Sequence, residues 1–185
     1  MPRKSISKPT KRTRKRPSAP RPAEQDPPSL NRDQIWLRVA GPRPREAGGR
    51  FTGKWMPRVP ADGVDAAWAR VAAATARGEL GIGAKVSTLL NNLMSPHGEG
   101  TKLHVICIYT ADCRDADDVN RVLVALRRLG FTQRLSYKED GATFAKVYGS
   151  GAALYVAQPG STVGQLRREP IPMPVEHLED ADLDR

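Results

Sequence analysis

Lys102 and His104 stand two residues apart at the start of Leu103-His-Val-Ile-Cys-Ile-Tyr-Thr110, the most strand-like stretch of the chain. A strand alternates faces with period two, so both side chains project to one side, together with Ile106 and Ile108. Leu103, Val105, Cys107 and Tyr109 take the other side. A strand apolar on both faces is usually buried on both. A cation beside an imidazole at the mouth of such a strand loses solvation, and a bound anion would offset the loss. The same alternation groups Lys138 with Ser136 and Arg134, away from Leu135 and Tyr137, as in a strand with one wet face. Lys85, in Ala84-Lys-Val-Ser-Thr88, reads as a further phosphate contact or as an ordinary edge lysine. A lone histidine on a core strand is more often a satisfied structural residue than a catalyst, so two readings of His104 stand open. Trp36, Trp55 and Trp68 are mostly core candidates. His97 and His177 fall in loop and tail and take no role.

The elements that must position these residues alternate along the chain. Gln34–Val39 and Gly53–Met56 read as strands, the second ending near Pro57. Asp62 or Asp65 can cap a helix that runs to about Arg77, with Trp68, Val71 and Ala72 on one face and Gly78 as its stop. Ala84–Thr88 and Leu103–Thr110 are strands. Asp115 opens a second helix with Asp117 and Asp118 in its first turn, an apolar stripe of Val119, Val122, Leu123 and Leu126, and Arg127 and Arg128 before Gly130. Both ends of that helix suit its dipole. Arg134–Lys138 and Ala152–Ala157 complete the strands. The pattern predicts an α+β domain over 31–171, a mixed, mainly antiparallel sheet with two or more helices on one face.

Outside that domain the composition changes. The chain of 185 residues carries a formal net charge of +10, unevenly divided. Residues 1–30 are rich in proline, lysine and arginine and hold almost no large apolar side chains, so they read as a disordered basic tail. Lys11, Arg12, Arg14, Lys15 and Arg16 form its densest cationic run, a candidate nucleic-acid contact or a solvated tail. Residues 172–185 read as an acidic tail. The middle is itself basic, which favours anionic partners.

Cys107 and Cys113 are too close for a disulfide framework, and with three histidines in the chain a zinc site is not expected. No metal and no cofactor are called for. No segment approaches 18 consecutive apolar residues, which argues against a membrane-spanning helix, and no apolar run follows the basic N-terminus as in a secretory signal. A cytoplasmic, reduced setting is expected.

Several short motifs occur in one order: Gly53-Lys54-Trp55-Met56, Gly78-x-Leu80-Gly81, Ala84-Lys-Val-Ser-Thr88, His104–Thr110, Asp117-Asp118-Val119 and Tyr137-Lys138-x-Asp140. From about Arg50 to Tyr148 this order resembles the uncharacterised family of the basophilic-leukaemia-expressed protein. The resemblance implies a fold like that of the mRNA cap-binding initiation factor and, with it, Trp36 or Trp55 as a surface on which a base stacks. A second resemblance concerns chemistry. Lys102-x-His104, Tyr137-Lys138, Lys146-Val147 and Leu154-Tyr155-Val156 follow the layout of bacterial phosphothreonine lyases. It implies Lys138 as the base that removes the Cα proton and His104 as the acid that protonates the departing phosphate oxygen. Lys102, Lys146 and Tyr155 would then be phosphate or substrate contacts. Lysine stands at 146 where those enzymes have arginine, and Arg167 and Arg168 match none of their motifs. A lysine base must be neutral, through burial or neighbouring cations, and Lys102 and Lys146 are the expected neighbours.

Two functions of different class follow. One is a cofactor-independent, phosphothreonine-lyase-like enzyme acting on a phosphorylated protein or other phosphate ligand. The other is a non-catalytic nucleotide- or RNA-binding module with a basic pocket, Trp55 as a stacking residue and the N-terminal tail as an aid. The lyase reading requires Lys102, His104, Lys138 and Lys146 to line one site.

Overall fold

The computed structural model describes residues 25–42, 49–94, 103–149 and 151–177. The cationic run Lys11–Arg16 and Lys102 lie outside these residues. The elements in chain order are β1 (Trp36–Ala40), β2 (Gly53–Trp55), β3 (Arg58–Pro60), α1 (Ala61–Ala76), β4 (Gly83–Ser87) and α2 (Leu89–Met94). There follow β5 (Leu103–Thr110), α3 (Ala116–Arg128), β6 (Leu135–Glu139), α4 (Asp140–Phe144), β7 (Tyr155–Ala157) and β8 (Gln165–Leu166). The eight strands form one open sheet in the order β1-β4-β5-β2-β6-β7-β8, with β3 also paired to β5. Each of these pairings is antiparallel, so the sheet is not mixed. β2 and β3 are two pieces of one path along β5, broken at Met56-Pro57. The Pro57 carbonyl still accepts from the Ile106 amide at 3.0 Å. Proline has no N–H for a ladder and is tolerated at such an interruption.

Strand alternation divides the sheet cleanly. Ile106, Ile108, Trp55, Leu135 and Tyr137 point to the side covered by α1 and α3 and are buried there with Val64, Val71, Val119, Val122, Leu123 and Leu126. Trp55 is fully buried and its indole N–H donates to the Val119 carbonyl of α3 at 2.9 Å. Trp55, Tyr137 and Tyr155 pack edge to face, with centroids 5.3 and 5.5 Å apart. Gly53 allows this: a side chain there would collide with the Tyr137 hydroxyl, which pairs with Thr110 Oγ1.

α3 begins as its sequence dictates, with the Asp115 carboxylate accepting from the Asp118 amide at 3.0 Å. The expected cap of α1 is different. Pro60 occupies the N-cap, and Asp65 instead accepts from the amide and hydroxyl of Ser29, the amide at 2.9 Å. Pro60 and the preceding β3 already fix the chain's entry into the helix, so no carboxylate cap is required. Gly78 ends the helix region at φ 76°.

The chain after β8 returns to the end of β6. The Arg168 guanidinium forms a two-pronged pair with the fully buried carboxylate of Glu139, and the Ile171 amide donates to the same carboxylate at 3.1 Å. Gly141 lies so close to the Ile171 carbonyl that any side chain there would collide with it. Met173 is buried, and its carbonyl accepts from Arg50 at 2.9 Å.

Candidate functional site

A pocket of about 540 Å³ opens on the sheet face away from α1 and α3. Three of the strands that line it contribute a lysine each, Lys85 from β4, Lys54 from β2 and Lys138 from β6, with Arg58 and Arg134 also on its lining, while β5 contributes Val105 and Cys107 and β1 Trp36. The reason is register. Lys54 is the cross-strand partner of both Tyr109 and Lys138, while Lys85 pairs with Cys107 on one side and Arg38 on the other. Directly paired residues share a face. In all three strands the residues beside the lysine face the core or are buried, so the lysine must face the pocket.

The three ammonium groups are packed against rings. Lys54 Nζ and Lys85 Nζ lie 5.4 and 5.9 Å from the Tyr109 ring centre. Lys85 Nζ is 4.4 Å from the ring of Trp36, and Lys138 Nζ is 4.3 Å from that of Tyr148. Lys54 is also paired with Asp140, the first residue of α4, and lies 3.5 Å from the Thr143 hydroxyl. Burial lowers the Lys85 pKa to about 8, with Lys54 and Arg38 pushing the same way. Burial lowers that of Lys138 too, aided by Lys54. Neutral thiol is favoured at Cys107, again by burial. The pocket is thus a partly desolvated concentration of positive charge, a form suited to an anion of compact shape. Among the described residues no cluster of three or more His, Cys, Asp or Glu side chains could hold a metal ion.

The sequence-predicted residues do not all meet here. Lys138 and Lys85 line the pocket. His104 does not: it projects with Ile106 and Ile108 into the core, 1% exposed, and its Nδ1 donates to the Ser87 carbonyl at 2.7 Å. Tyr155 also belongs to the helix-covered face, where its hydroxyl donates to the Cys113 carbonyl at 2.9 Å. Lys146 is exposed just after α4 at φ 54° and does not line the pocket. Trp55 presents no surface on which a base can stack. Trp36, the other tryptophan considered for stacking, does line the pocket. The cationic neighbours of Lys138 are Lys54 and Arg168.

The sequence model of the family described as basophilic leukemia-expressed protein Bles03 matches residues 45–145, more than half of the chain. The chain belongs to the Bles03 family. The Bles03 match takes in Lys54, Lys85, Cys107, Tyr109, Lys138 and Asp140, whereas Trp36 and Tyr148, the aromatic walls, lie outside it. Lys54, Arg58 and Tyr148 were not among the residues that sequence reasoning selected. The signal for Lys54 was present in Gly53-Lys-Trp55: if the tryptophan is core, the lysine must face the other way, as Lys85 and Lys138 do.

Proposed function

We propose that this Bles03-family protein binds a phosphorylated ligand, such as a nucleotide, in the pocket on the open sheet face, without eliminating its phosphate. The observation that carries this reading is the convergence of Lys54, Lys85 and Lys138, from three separate sequence motifs, on one pocket, the first two beside Tyr109 and the third against Tyr148. Ammonium groups gather on a phosphate as point charges, and a phosphate in the pocket would offset the cost of burying positive charge there. Trp36 and Tyr148 supply flat surfaces for a planar group on the same ligand. Elimination with Lys138 as base and His104 as acid needs both groups on one substrate bond. The sheet stands between them, which favours binding over the lyase reading. A cytoplasmic site and a contribution from the basic N-terminal residues to nucleic-acid binding belong to this proposal.

Calorimetric titration with pyrophosphate, a nucleoside monophosphate and a short single-stranded RNA tests the reading. Binding that weakens with salt and falls at least tenfold in Lys138→Ala and Lys85→Ala is the expected result. Equal affinity in all three proteins would move any anion site elsewhere. Release of phosphate from a phosphothreonine peptide, with gain of dehydrobutyrine, would restore the lyase reading.

A further inference from the structure

Lys85 differs from the other two pocket lysines in its position. It is buried like the other two, but lies against Trp36 and is paired across the strands with Cys107 and Arg38. Lys54 has Asp140 as its ion-pair partner, and Lys138 reaches towards the exposed ring of Tyr148. Two cations are therefore placed for a phosphate, and a third amine is set apart between a thiol and an indole. We propose that the pocket takes a phosphorylated carbonyl compound, its phosphate held by Lys54 and Lys138 and its carbonyl carbon captured by the amine of Lys85. This rests on the phosphate-binding reading above and names a second functional group on that ligand.

The chemistry balances without a further reactant. The neutral amine attacks the carbonyl carbon, a C–N bond forms and the π pair moves to oxygen. A proton passes from nitrogen to that oxygen, and loss of water leaves an imine. The step needs a neutral amine, and burial among other cations raises the neutral share at a given pH. Burial, Lys54 and Arg38 oppose charge on Lys85 and outweigh the opposite influence of Cys107 and Asp140, leaving a pKa of about 8. A desolvated lysine beside other cations is a recognised way to activate an amine towards carbonyl compounds. The Trp36 ring, now beneath the ammonium, is left free to stack on a flat ligand once the nitrogen becomes part of it.

The full chain is incubated with substoichiometric pyridoxal phosphate, reduced with borohydride and mapped by peptide mass. Pyridoxal without its phosphate and glyceraldehyde 3-phosphate serve as comparison probes. Labelling concentrated on Lys85, suppressed by inorganic phosphate, weaker at least tenfold for pyridoxal and absent in Lys85→Arg is the expected outcome. Label spread over surface lysines, or mapped to Lys54 or Lys138, overturns the carbonyl assignment. Calorimetry with inorganic phosphate separates the two claims. Phosphate binding without Lys85 labelling removes only the carbonyl inference, whereas no phosphate binding removes the pocket reading as well.

Discussion

Lys54 and Lys138 face each other across adjacent antiparallel strands, and the carboxylate of Asp140 is bound to Lys54. One lysine of the facing pair thus has a counter-ion within the protein, and both line the pocket. Asp140→Asn should leave Lys54 buried without a counter-ion and cost about 3 kcal/mol in urea unfolding. Lys54→Met combined with Asp140→Leu should recover most of that loss, because both buried charges are then gone. A double variant no more stable than Asp140→Asn would show that the pair contributes more than mutual neutralisation.

Lys85 carries a pH signature. Its pKa in the fold, about 8, lies below the ordinary 10.5, so above pH 8 the unfolded chain holds a proton that the folded chain lacks. Stability from this group therefore rises between about pH 8 and 10, and below pH 8 the charged lysine is a burden. The shift corresponds to at most about 3 kcal/mol, and loss of the indole contact offsets about 1 kcal/mol. Lys85→Met should be more stable than the native chain by about 2 kcal/mol at pH 7, with the gap closing by pH 10. An undiminished gap at pH 10 would contradict the assignment. A bound phosphate must raise the same pKa, so affinity should fall as pH climbs through about 8.

His104 should matter for stability and not for ligand. Removing its ring in His104→Ala leaves a core void and an unpaired Ser87 carbonyl, at a cost of about 2–4 kcal/mol. Affinity for pyrophosphate, measured well below the unfolding temperature, should change less than twofold. A tenfold loss of affinity in the folded variant would return His104 to the site.

At Lys146 a non-glycine residue occupies left-handed backbone immediately after α4. Such a conformation costs an L-residue about 1–2 kcal/mol. Lys146→Gly should therefore stabilise the protein by about 0.5–1 kcal/mol after the extra chain entropy of glycine is subtracted, seen as a rise in Tm of about 2–3 °C. Its phosphate affinity should be unchanged. Weaker phosphate binding would show that the Lys146 charge reaches the ligand.

The long strand β5 and the helix α3 were legible because each local signal agrees with the tertiary answer: Leu103–Thr110 is apolar on both faces, and α3 has its cap, stripe and dipole charges in order. α4 and β8 were not, since five and two residues are too few to show a period. The site was half legible. Alternation alone grouped Lys138 with Ser136 and Arg134 on a wet face, and all three line the pocket. Alternation also grouped His104 correctly with Ile106 and Ile108, but a sequence does not say which face of a doubly buried strand lies under the helices. That depends on register with β2 and β4, where Trp55 and Val86 draw the Ile106–Ile108 side, and His104 with it, into the core.

The Arg168–Glu139 pair separates the unit that is inherited from the unit that folds. The Bles03 family match ends at residue 145, yet the last residue of β6 and the start of α4 are completed by Arg168 and Ile171. A chain trimmed to the similar segment would strand the Glu139 carboxylate in an apolar interior and bare the flank of Gly141. Neighbouring Lys138 and Asp140 would lose their fixed positions with it. In this chain the sequence beyond the matched segment is therefore what returns a guanidinium to this one carboxylate.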